Sequence, residues 1–76
     1  MAKYSVVTNS LGNRFWADGG RGELPREVAN RVAVREQARF QRQNKYAKIE
    51  IIRIKANGQH GETVAVLESK VLATKG

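Results

Sequence analysis

His60 is the one histidine of this chain, and there is no cysteine. Acid–base or nucleophilic chemistry near neutral pH would therefore have to be built around it. A nucleophile system needs the histidine beside a hydroxyl, with an acid to orient it. His60 lies instead within the turn-rich run Asn57-Gly58-Gln59-His60-Gly61, which predicts an exposed loop histidine. The acidic residues are dispersed at 18, 23, 27, 36, 50, 62 and 68, and no two of them make an acid–base dyad. One histidine, no cysteine and no carboxylate cluster also fall short of a zinc or calcium ligand set. These absences predict a non-enzymatic binding protein, with no catalytic residue, metal or cofactor.

The chemistry the chain does carry is that of arginine. Fourteen Lys and Arg face seven Asp and Glu, a net charge of +7, and the pI is near 10.4. Such a field draws anionic partners. The charge is also unevenly placed: ten basic and four acidic residues lie between Arg21 and Lys55, so +6 of the net +7 falls there. At about 100° per residue on a helix, Arg31, Arg35 and Arg42 project within about 40° of one another, with Arg39 beside them. Lys45 and Lys48 continue the run past the helix end. Of the acids, Glu27 is the one spaced at i,i+4 to an arginine of this stripe, Arg31. Arginine makes bidentate contacts to phosphate and carboxylate that lysine does not. Arg31, Arg35, Arg39, Arg42, Lys45 and Lys48 are therefore the candidate contacts to nucleic acid or to an acidic protein surface, weighed against a plain solvated helix face. Arg14, Trp16 and Arg21 form a candidate secondary patch, Trp16 being adjacent to Phe15 and so directed to the opposite face of a strand.

The glycine-rich run Gly19-Gly20-Arg21-Gly22 precedes a helix start, where backbone N–H groups hold anions. It matches neither phosphate-loop fingerprint, and Glu23 follows it. It reads as a flexible connector from which Arg21 reaches a phosphate.

Positioning these residues requires a fold that 76 residues can build. Lys3 to Thr8 reads as a strand, residues 9–13 as a turn, and Arg14 to Ala17 as a second strand of a hairpin. Pro25 suits the first position of a helix running to about Gln43. Its core face is Val28, Ala29, Val32, Ala33 and Phe40, an arc of about 140°. Glu36 falls inside that arc, where it needs an overhang or a basic neighbour, and Val34 and Ala38 fall outside it. Asn44 and Lys45 end the helix. Tyr46 to Ala56 reads as the strongest strand, with Ile49 and Ile51 on one face and Ile52 and Ile54 on the other. That pattern requires either a strand covered on both faces or a β-bulge near Ile51–Ile52. Asn57-Gly58 signals a turn, and Glu62 to Leu72 returns as a last strand, with a helical alternative from Glu68 onward.

The expected fold is α+β, a small single domain over residues 1–76 in the order β-β-α-β-β. One helix packs on a largely antiparallel sheet of about four strands, with an ordered core of about 3–72 and a flexible tail at 73–76. The absence of an apolar leader or of a run near the ~20 residues that span a bilayer predicts a soluble, cytoplasmic protein with no membrane partner and no small-molecule substrate. A core this small is marginal, and pairing of sheet edges into a homodimer is one way to reinforce it. The functional expectation is nucleic-acid binding, to DNA or RNA, through phosphate contacts. The alternatives are a small adaptor or inhibitor, of the kind phages and plasmids encode, docking on an acidic protein surface, or a structural subunit of a larger complex.

Overall fold

The computed structural model describes residues 2–19 and 21–70. Five elements follow one another: β1 (Lys3–Ser10), β2 (Asn13–Trp16), α1 (Arg26–Arg42), β3 (Ala47–Ile54) and β4 (His60–Ser69). The strands form one antiparallel sheet in the order β2-β1-β3-β4, and α1 packs on one face of it. This is the α+β architecture expected from the sequence. The expected tail at 73–76, the last residues of the expected final strand and Gly20 of the glycine run lie outside the described residues.

The β1–β2 hairpin closes through two central residues with positive φ, Leu11 at 51° and Gly12 at 83°. Both central φ values are positive in a type I′ turn, whose twist matches the flanking strands. Glycine meets that demand freely, but a leucine in the left-handed region costs ~1–2 kcal/mol. Leu11 is also 76% exposed, so it regains little by burial. Leu11→Asn is therefore expected to stabilise the domain by about 0.5–1 kcal/mol, seen as a thermal midpoint about 4 °C higher. A midpoint unchanged or lowered would refute this account of the turn.

Pro25 is the N-cap of α1 and not its first helical residue; with φ −64° it enters the helix without a side-chain cap. The helix stops where Asn44 turns to φ 53°. The Asn44 N–H donates to the Gln41 carbonyl at 3.1 Å and the Lys45 N–H to the Phe40 carbonyl at 3.0 Å, the two bonds of a Schellman ending. Ala29 and Ala33 are fully buried against Val6, Ile49 and Ile51, their small side chains letting the helix lie close on the sheet, while Val28 and Val32 are only half-buried. Glu36, inside the core arc, is held by Arg39 at 3.2 Å. Two helix glutamines reach the end of β4. Gln37 Nε2 donates to the Glu68 carbonyl at 2.9 Å, and Gln41 donates to the Lys70 carbonyl and accepts from its N–H. Residues 68 and 69 are thereby kept as strand, not helix.

Both alternatives for β3 are realised together. Ile49 and Ile51 face the helix, and Ile52, 6% exposed, is buried on the other side. The bulge falls on β4: Ile51 pairs with Ala65 and Ile52 with Thr63, so Val64 is the extra residue. The second face has its own cover. Trp16 pairs with Val7 on edge strand β2, His60 pairs with Ile54 on edge strand β4, and their rings meet at 4.6 Å. Three strand spacings of about 4.8 Å separate those edges. The rings therefore lean toward one another over the sheet face away from α1. His60 is thus exposed, as expected, but as the first residue of a strand and not in a loop.

The connector from β2 to α1 is anchored rather than loose. Ser5 Oγ donates to Asp18 Oδ2 at 2.9 Å, and Leu24 exchanges both backbone hydrogen bonds with Tyr4. Gly22, at φ 68°, is buried so close to Ile54 that a Cβ would lie 3.0 Å from Ile54 Cγ1.

Candidate nucleic-acid interface

Because Ala29, Ala33 and Phe40 point at the sheet, residues about 180° away on α1 point straight outward. Arg31, Arg42 and Arg35 occupy that outward line. All three are exposed, and none has an acidic partner among the described residues. The expected Glu27–Arg31 pair is not formed. Arg31 and Arg35 stand between two shallow grooves. One, of about 330 Å³, is bounded by Asn30, Val34 and Ala38; the other, of about 440 Å³, by Val28 and Val32.

The remaining expected contacts are differently placed. Arg39 lies beside the stripe, but its guanidinium is engaged, donating to Glu36 Oε1 at 3.2 Å and covering the Phe40 ring at 4.9 Å. Lys45 is exposed at the helix exit, its carbonyl accepting from Ser69 Oγ at 2.7 Å. Lys48 alternates with Ile49 and so lies on the sheet face away from α1, in register with Asn9 and Glu68. The structure does not bring it to the helix stripe. Strand alternation already carries this signal once Ile49 and Ile51 are assigned to the helix side.

The secondary patch also divides. Arg14 stacks over the Trp16 ring at 5.7 Å on the face away from the helix, and it pairs with Asn9, which puts it in the same cross-strand row as Lys48. Arg21 lies near Lys3, at the other end of β1, six residues or about 20 Å from Asn9. The face that carries Arg14 and Lys48 is mixed in charge. Glu50 accepts from Asn9 at 3.3 Å and from Thr63 at 3.1 Å, and Glu68 accepts from the Tyr46 hydroxyl at 2.7 Å. The bond to Glu68 pushes the Tyr46 phenol above its ordinary value of 10.0, so the ring stays neutral in the physiological range. Trp16 is half-buried, with the exposed His60 ring at 4.6 Å and the exposed Arg14 guanidinium at 5.7 Å.

No cluster of His, Cys, Asp or Glu among the described residues could hold a metal ion. Among them no helix is long and apolar enough to cross a membrane. No protein-family model, curated protein or solved structure matches the chain.

Proposed function

We propose that this domain binds double-stranded nucleic acid by laying the outward face of α1 against phosphates, with weak sequence selectivity. The observation that carries the reading is the row Arg31, Arg35 and Arg42 on the line opposite the core face, none of them in an ion pair among the described residues. A duplex suits this face better than an open strand. Single-strand binding relies on exposed aromatic platforms, and the outward face of α1 carries none, the exposed rings Phe15 and Tyr46 lying off the helix. Base-edge readout is not implied, since phosphate contacts set position rather than sequence.

With Arg39 held by Glu36 and Lys48 on the other face, the side chains left to engage phosphates are Arg31, Arg35, Arg42 and Lys45. Four contacts correspond to a salt slope of about −3.6 in log K against log salt, shallower than the slope near −5 for the six residues chosen from the sequence. Fluorescence anisotropy of labelled duplex DNA at several salt concentrations measures it. A salt-independent affinity, or no binding at low salt, would overturn the proposal.

One observation favours a second reading. Val34, 54% exposed, and Ala38 lie beside Arg31 and Arg35. A protein partner with an apolar side chain ringed by carboxylates would fit this groove, the arginines setting association rate and the groove supplying affinity.

A further inference from the structure

A second group of cations comes together from three separate segments. Lys3 opens β1, Arg21 belongs to the β2–α1 connector, and Arg53 and Lys55 lie at the end of β3; all four border one cleft of about 750 Å³. Glu23 also lines the cleft and the Asp18 carboxylate lies against its Gly22, so the local balance is four positive charges against two negative, or +2. None of the four cations has an ion-pair partner among the described residues.

The backbone around the cleft is held in place. Lys3 is in register with Ile54. Gly22 is wedged against Ile54 and accepted at its N–H by Asp18 Oδ2 at 3.4 Å. Lys55 closes the β3–β4 turn by donating to the Gln59 carbonyl at 2.8 Å and accepting from Gly58 at 2.8 Å. Lys3, paired with Ile54, stands on the sheet face away from α1 and Arg53, paired with Tyr4, on the helix face, so the cations reach the cleft from both sides of the sheet end, and an anion bound there offsets the field they share.

The lining also defines the anion. Two of the four cations are arginines, suited to bidentate phosphate contacts. No aromatic ring borders the cleft, so there is no platform for a base. The volume lies within the range of small-ligand sites, about 300–1,000 Å³, and a local charge of +2 calls for two or more negative charges close together.

We propose that this cleft binds an oligophosphate, two or more directly linked phosphoryl groups, either free or at the 5′ end of a nucleic acid. None of its basic side chains belongs to α1, so this site and the helix interface succeed or fail separately. The test is amide NMR of the full chain titrated with sodium tripolyphosphate at about 150 mM salt, with sulfate at matched ionic strength as reference. The expected result is saturable shifts at Gly22, Arg53, Lys55 and Gly58, with Arg31 and Arg35 unmoved. Arg21→Ala with Lys55→Ala should weaken binding about tenfold, and Glu23→Gln should tighten it about threefold, a gain that misfolding cannot imitate. A 5′-triphosphorylated oligonucleotide that reproduces the cleft shifts identifies the nucleic-acid end as a source; tripolyphosphate shifts without it identify the free ion. Shifts equal to those of sulfate, shifts equally strong with a 5′-hydroxyl oligonucleotide, or no gain from Glu23→Gln would overturn the proposal.

Discussion

Ile51→Ala is expected to remove most of the stability of this domain, about 2–5 kcal/mol of unfolding free energy. Ile51 has no exposed surface, lies on a central strand, and packs with Ala29, Ala33 and Val6 between helix and sheet. Two of those neighbours are alanines, too short to fill the space a lost isoleucine would leave, so the cavity would persist. A core of this size supplies only about 3–5 kcal/mol in all. In urea the midpoint should fall by about 2 M or more, given a slope of about 1 kcal/mol/M for a chain this small. Ile51→Val should cost about 0.5–1.5 kcal/mol. Val34→Ala, on the exposed side of the same helix, should stay within about 0.5 kcal/mol. An Ile51→Ala loss below about 1 kcal/mol would mean that the helix and sheet do not share the core described here.

Ile51 also illustrates how far a sequence reading reaches. The two-sided apolar pattern of β3, the helix stop at Asn44 and the turn at Asn57-Gly58 are encoded by neighbouring residues, through alternation and local backbone preference, and they could be read directly. The direction of the arginine stripe was legible for the same reason, because Arg31, Arg35 and Arg42 share one helix and one period. Properties that arise only when distant segments meet were not. Trp16 and His60 stand 44 positions apart, and their ring contact depends on strand order and register. The cleft cations come from residues 3, 21, 53 and 55, separated by a hairpin and a helix. Lys48 is close to the helix arginines in the chain, but the pleat of β3 sends it to the other face. The connector looked loose because its glycines were visible, whereas the bond from Ser5 to Asp18 and the pairing of Leu24 with Tyr4 were not.

Arg31→Glu with Arg35→Glu is expected to weaken binding to duplex DNA about a hundredfold or more near 0.1 M salt, and to flatten the salt slope from about −3.6 to about −1.8. The pair removes two of four phosphate contacts and adds two repulsions at the centre of the outward face. Exposed arginines with no partner are inexpensive to replace, so the fold should be kept. A matched control separates local docking from overall attraction. Lys3→Glu with Arg53→Glu makes the same change in net charge, from +7 to +3, but at the sheet end. If α1 is the interface, the helix pair loses far more affinity than the cleft pair; equal losses would mean that duplex DNA responds to net charge and not to the arginine row. Val34→Ser then distinguishes the two kinds of partner. A phosphate surface has no apolar group to seat beside Arg31, so DNA affinity should hardly change. A protein partner anchored in the groove between Val34 and Ala38 would dissociate faster, with its association rate still governed by the arginines.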